Sequence, residues 1–387
     1  MPQRSYLDWN ATAPLRAEAR AILAAAQDVF GNPSSVHAEG RAARRLVEQA
    51  REEVAALVGA RPSDVVFTAS GTEANMLALT PGIETADEKA PRSRLFLSAI
   101  EHASVKSRGR FSLEASEEIA VDADGQLDLN VLAERISRTP RPLVSLMLAN
   151  NETGVIQPVA AAAATVHAHG GLLHVDAVQA IGRIPCDMAA LGADVLTLSA
   201  HKIGGPKGVG ALVRTSDDIH IDALIRGGGQ ERGLRAGTEN VPGIAAFGAV
   251  AAAVRRQREA EAVRMLALRE RVEAGIAAIS PAAVIFGAGV ERLPNTTLFA
   301  LAGVKAETAI IAFDLEGVAV SSGAACSSGK VQPSHVLAAM GVSAALARGA
   351  VRVSVGHETG EADVERFLCA WRKLATALSN QERGIAA

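Results

Sequence analysis

The chain has 387 residues, enough at roughly 150 per domain for two or three domains around a substantial core. Its 39 Lys and Arg against 42 Asp and Glu leave a formal net charge of −3. Both signs are scattered along the chain, which argues against a nucleic-acid or anionic-membrane partner, and 9 Phe, 2 Trp and 1 Tyr leave little for a base-stacking platform.

The N-terminal residues lack the basic-then-apolar pattern of a signal peptide, and no apolar run reaches the ~18 residues of a membrane span, so a soluble cytoplasmic protein is expected. Residues 1–30 carry no clear element and could pack on either domain. A helix is predicted over 41–58, with Ala43, Leu46, Val47, Ala50, Val54, Leu57 and Val58 on one face and Gly59 and Pro62 ending it. Strands follow at 65–68, 95–98, 143–148, 172–176, 195–198 and 210–213. Several are continuous apolar runs, as in a parallel sheet covered on both faces by helices. A long helix over 243–279 then leads to strand 296–300, helix 307–316, strand 318–321, a Ser/Gly/Ala loop carrying Cys326, helix 334–340, strand 351–354 and a last helix from 362. The fold expected is α/β, a large domain with a mostly parallel sheet and a smaller α+β C-terminal domain.

In such sheets ligands bind beyond the carboxyl ends of the strands. After 65–68 comes Ser70-Gly71-Thr72-Glu73, which reads as a helix capping box or as an anion site at a helix N-terminus. Glu101-His102 follows 95–98, and Asn150-Asn151-Glu152 follows 143–148. Strand 172–176 ends in Asp176, with Gln179 three residues on. Strand 195–198 ends in Ser199-Ala200-His201-Lys202. An acid at the end of an apolar strand wants a cationic partner, and a lysine near a buried strand end is rare unless it is paired or its pKa is lowered, the lowered pKa being what Schiff-base chemistry needs. A phosphate cradle, an acid and a lysine are the three elements that pyridoxal phosphate requires. With so few aromatic side chains, an imidazole is the group expected to stack on the cofactor ring, and His102 stands where it could. Neither a Walker motif nor a strand followed by G-x-G-x-x-G occurs, which weakens a nucleotide-binding reading.

Further motifs join these: Tyr6-Leu7-Asp8, Gly31-Asn32-Pro33-Ser34-Ser35, Gly227 to Arg232, Arg235-Ala236-Gly237-Thr238 and Ser321 to Gly329. In order and spacing the set resembles the cysteine desulfurases of the nitrogen-fixation and iron–sulfur-assembly type over nearly the whole chain. The resemblance implies a fold-type I, class V aminotransferase-like homodimer, with residues 15–255 as the pyridoxal-phosphate domain and 1–14 with 256–387 as the small domain. It implies an enzyme that converts L-cysteine to L-alanine and holds the sulfur as a persulfide on Cys326. Lys202 would carry the cofactor, Asp176 would face its ring nitrogen, Gln179 its ring oxygen, and His102 would stack and shuttle protons. Gly71, Thr72, Ser199 and His201 would hold the phosphate, with Thr238 reaching it from the other subunit. Asn151 would line the cofactor, and Asn32, Arg352 and Asn151 would receive the substrate.

Cys326, in its uncrowded loop, is the expected nucleophile, whereas Cys186 and Cys369 read as packing residues with apolar neighbours. The sulfur acceptor expected is an iron–sulfur scaffold or another acceptor protein, and the sole metal contact expected is a transient one through the Cys326 persulfide. Alternatives are a selenocysteine lyase, another class V aminotransferase and a non-enzymatic sulfur carrier. Cys326 argues against the aminotransferase, and the intact Asp176, Gln179 and Lys202 set against the carrier.

Overall fold

All six apolar runs expected as strands form strands in the structure, a computed structural model that describes residues 4–86, 89–323 and 334–385, with side chains of the last helix as far as residue 377. They build one seven-stranded sheet in the order Val65–Thr68, Gly210–Arg214, Val195–Ser199, Leu172–Asp176, Leu143–Met147, Leu95–Ser98 and Ser116–Ile119. Only Gly210–Arg214 runs against the others. Leu146, Val175 and Leu196 are fully buried, and each such side chain contributes about 1.5–3 kcal/mol. The edge strand Ser116–Ile119 was not foreseen, because only Ile119 of its four residues is buried and the segment has no apolar run.

Register lines up the chemistry. Met147 lies beside Asp176, Asp176 beside Thr197, and Thr68 and Ser199 both lie opposite Gly210. A Cβ on Gly210 would stand 2.4 Å from the carbonyl carbon of Ser70, so glycine lets the turn after the first strand close over its neighbour.

The expected helix forms over Ala38–Leu57 and packs on the first half of the long helix Val241–Ile279. They approach closely at Gly248, where a Cβ would lie 2.4 Å from the Ala50 Cα. Val241 to Val254 belong to the core against the large sheet, whereas Met265, Leu268, Val272 and Ile276 of the same helix join Phe299, Phe313, Phe367 and Trp371 in a second core. Helices Leu129–Ile136 and Val159–Ala168 escaped the periodic reading. In the second, a run of alanines gives no contrast between faces.

The segment expected as one strand over 318–321 is two short strands in different sheets. Val318–Ala319 pairs in parallel with Ser5–Tyr6, while Ser321–Ser322 pairs with Val351–Ser354, which in turn pairs with Thr296–Ala300. The first residues therefore add to the C-terminal region, and the following helix Ala17–Gln27 packs on Val241–Ile279. The expectation that Cys369 is a packing residue is corrected. In the terminal helix Val364, Phe367, Leu368 and Trp371 face the core at helical spacing, which turns Cys369 to the exposed side. Cys186 is buried as expected. Among the described residues no helix is long and apolar enough to cross a membrane.

Candidate active site

The loops beyond the carboxyl ends of the strands enclose a cavity of about 250 Å³. Gly71, Thr72, His102, Asn151, Asp176, Gln179, Ser199, His201 and Lys202, all singled out from the sequence, line it. The helix cap forms, with the returning bond taken one residue before the cap. Ser70 Oγ accepts the Glu73 backbone N–H at 3.1 Å, and Glu73 Oε2 accepts that of Ala69 at 3.0 Å. It fixes the start of the helix Gly71–Ala78 at the cavity wall, so the cap and a helix N-terminus open to an anion are compatible readings of one turn.

Asp176 is buried, and both its oxygens are held. Oδ1 accepts the Val178 backbone N–H at 2.9 Å, and Oδ2 accepts the Asn75 amide at 2.8 Å. Gln179 donates to the carbonyl of Asn10 at 3.0 Å and accepts from Arg183 at 2.6 Å. Burial pushes the Arg183 guanidinium down to about 9. His102 caps the short helix Ala103–Lys106, its Nδ1 accepting the Ser104 backbone N–H at 3.2 Å. Burial, together with the Lys202 cation, lowers the His102 pKa against the opposing pull of Asp176.

Lys202 Nζ donates to the carbonyls of Asn10 and Ala11 at 2.6 and 3.0 Å. Its pKa falls to about 7, first through burial and then through the Arg352 and Arg183 cations, which outweigh Asp176 and Asp8. An amine that is half neutral at neutral pH is a nucleophile toward a carbonyl. His201 is lowered to about 4 by burial and by Lys202 and Lys207, and so is a neutral donor or acceptor.

Not every expected residue reaches the cavity. Arg352 is buried beside it, donating to the Asn151 carbonyl and to Asp8 Oδ1, both at 2.8 Å. Asn32 and Thr238 are exposed and line no part of it. Cys326 lies outside the described residues. The sequence reading passed over Asn75, whose polar side chain in mid-helix is itself a signal, and Ser104, two residues after His102. It noted Glu101 only as a polar residue after strand 95–98 and gave it no role. Glu101 is fully buried, accepts the Met147 backbone N–H at 2.6 Å, and has its pKa driven well up by burial and by Asp176.

The lining fits pyridoxal phosphate. A Cβ on Gly71 would stand 3.0 Å from Val178 and 3.3 Å from Ser199, so glycine keeps the helix end open to an anion, with an acid and a depressed-pKa lysine on the adjoining walls. Fold and site together define an α/β enzyme of the fold-type I transferase class. The family model described as aminotransferase class-V matches residues 5–367. The chain is 45% identical to a cysteine desulfurase of Cereibacter sphaeroides, over 95% of this chain and 94% of that one. A solved NifS-like protein of Rickettsia africae superposes with a TM-score of 0.88 at 35% identity, covering 96% of this chain and 99% of the other. A structure titled SspA in complex with cysteine matches at 28% identity and a TM-score of 0.75, over 91% and 99% of the two chains. The chain belongs to the aminotransferase class-V family and, within it, to the cysteine desulfurases of the NifS and IscS type.

Proposed function

We propose that the cavity takes pyridoxal phosphate and L-cysteine, and that the chain yields L-alanine while Cys326 keeps the sulfur as a persulfide. The observation that carries this reading is the pairing of a lysine poised at about 7 with the Asp176 carboxylate in one cavity, beside an open helix N-terminus. When bound, the cofactor supplies an electron sink for the substrate's α-carbon. Lys202 holds the cofactor aldehyde and afterwards moves the α-proton. Asp176 keeps the ring nitrogen protonated, Gln179 and Asn151 orient the ring, and His102 stacks on it and relays a proton. Gly71, Thr72, Ser199 and His201 hold the phosphate, and Arg352 with Asn32 receives the substrate carboxylate. The Cys326 thiolate forms an S–S bond to the substrate sulfur as the C–S bond breaks, the electron pair staying with the carbon that becomes the alanine methyl group.

The exposure of Thr238 suits a residue that completes the phosphate site of a second copy, so the working form is a homodimer. Two of the hydrophobic cores, one built on the large sheet and one around Phe299, Phe313, Phe367 and Trp371, support a large domain over 15–255 and a small one of 1–14 with 256–387. A reducing cytoplasm is the setting, with an iron–sulfur scaffold or a similar acceptor protein taking the persulfide sulfur. The solved relative with cysteine supports cysteine as substrate. The test is alanine and sulfide production from L-cysteine with and without added pyridoxal phosphate. With dithiothreitol present to reduce the persulfide and release its outer sulfur, equal molar alanine and sulfide, lost in Lys202→Ala, is the expected result, and transamination or no turnover would overturn it. Mixed dimers of Thr238→Ala with Lys202→Ala test the shared site, because one of their two sites would regain both groups.

A further inference from the structure

Asn75 lies in the middle of the helix Gly71–Ala78, 1% exposed, where an apolar residue would pack at no polar cost and asparagine is a poor helix former. Three of the four hydrogen-bonding positions of its amide are used, both donors and one acceptor. Nδ2 donates to Asp176 Oδ2 at 2.8 Å and to Ser104 Oγ at 2.9 Å, and Oδ1 accepts from Thr197 Oγ1 at 2.6 Å. The amide cannot be turned over, because Oδ1 would then face the carboxylate oxygen of Asp176, acceptor against acceptor.

That orientation fixes the protons on either side. Thr197 gives its hydroxyl hydrogen to Asn75, so the contact at 3.3 Å between Thr197 Oγ1 and His174 Nε2 has the histidine as donor, and His174 Nδ1 accepts from Ser145 Oγ at 2.8 Å. His174, pushed down to about 4 by burial, is neutral as this pattern demands. On the other side Ser104 Oγ accepts from Asn75, which leaves its hydrogen for His102 Nδ1 at 2.8 Å. The Ser104 backbone N–H points at the same nitrogen. Nδ1 is therefore an acceptor, and the ring proton of the neutral His102 stands on Nε2.

We propose that Asn75 is a positioning residue: one amide ties the Asp176 carboxylate to His102 through Ser104 and sets His102 in its Nε2–H tautomer. The inference rests on the proposed roles of Asp176 and His102. It adds that the group facing the cofactor nitrogen and the group stacked on the ring are oriented by the same side chain, which draws its own orientation from Thr197 and the buried His174.

The tautomer is read from ring-labelled histidine by carbon and nitrogen NMR of the apoprotein, with His102→Gln identifying the signal. The Nε2–H form is expected, and an Nδ1–H ring overturns the proposal whether or not the chain binds pyridoxal phosphate. Asn75→Ala cuts both arms and Ser104→Ala only the His102 arm. In Asn75→Ala, pyridoxal-phosphate affinity and kcat for cysteine should each fall about 10- to 100-fold, the range of a lost hydrogen bond to a charged group, with KM moved less than about threefold. Ser104→Ala should lower kcat while holding cofactor affinity within about threefold. An Asn75→Ala protein with both constants within threefold of the parent would overturn the assignment. If Asn75→Ala does not fold, Asn75→Ser and Ser104→Ala carry the same comparison. A parent protein that shows the Nε2–H ring but binds no pyridoxal phosphate would sink the proposed function and leave the tether standing.

Discussion

Lys202 Nζ and the backbone carbonyl of Asn10 are 2.6 Å apart, although the two residues stand 192 positions apart in the chain. The same Asn10 carbonyl takes the Gln179 amide, and the Asn10 side chain bonds Thr296 and Asn295 of the C-terminal region. The amine is thus held ready by neutral carbonyls, while burial and the neighbouring arginines keep it from holding its proton.

Cofactor loading should therefore follow the neutral form of Lys202. Below about 7 the rate of pyridoxal-phosphate uptake by the apoprotein should rise about tenfold per pH unit and then level off. The same shift has a sign for stability. The folded value lies below the unfolded one of about 10.4, so between the two the unfolded chain binds more protons and the fold gains stability as pH rises. Replacing Lys202 with Met should flatten that gain in apoprotein melting curves from pH 7 to 10. A level uptake profile would remove the depressed lysine.

Gly210→Ala should damage the proposed phosphate cradle from behind. Its Cβ would press 2.4 Å from the Ser70 carbonyl carbon and shift the start of the Gly71–Ala78 helix. Loss of about tenfold or more in pyridoxal-phosphate affinity is expected, measured by equilibrium dialysis, because overpacking of this kind costs about 1–3 kcal/mol. Unchanged retention would mean that this turn does not hold the phosphate.

Arg51 and Glu231 form a buried bidentate pair, both bonds 2.8 Å, with Glu231 also accepting the Phe67 N–H and Arg51 donating to the Val65 carbonyl. Glu231 and Arg232 take positive φ values of 45° and 56°, a strain that these bonds hold in place. Arg51→Met should cost about 3–5 kcal/mol in urea unfolding, since it strands the buried Glu231 carboxylate. Glu231→Gln should cost less because Glu48 still pairs with Arg51 at 3.1 Å, and the double variant should recover part of the Arg51→Met loss. An Arg51→Met variant within about 1 kcal/mol of the parent would contradict the clamp.

The two described cysteines should label differently. Burial pushes the Cys186 thiol up to about 12, whereas Cys369 is exposed. Iodoacetamide on the native protein should modify Cys369 and spare Cys186 until the chain unfolds. After L-cysteine is added, peptide mass spectrometry should find one extra sulfur on Cys326, and none in Cys326→Ser. Sulfur on Cys369 instead would reassign the nucleophile.

The strands and most of the site were legible in the sequence because each strand of a covered parallel sheet is a short apolar run, and the residue just past it must serve whatever binds there. Asp176, Gln179, His201 and Lys202 could be placed on one rim by that rule alone. Cys369 could not, because its neighbours along the chain are apolar while the helix face that buries them is set by Phe367 and Trp371. Asn75 was hidden for a related reason. Its helix position names no partner, and only the folded sheet brings Asp176, Thr197 and Ser104 around one amide. Sequence by itself thus determined which chemical groups this protein holds and on which strand ends they stand. Tertiary structure decided their protonation, since the fall of Lys202 to about 7 comes from desolvation and from cations far away in the chain, and the Nε2–H ring of His102 from Ser104 as oriented by Asn75 of another helix.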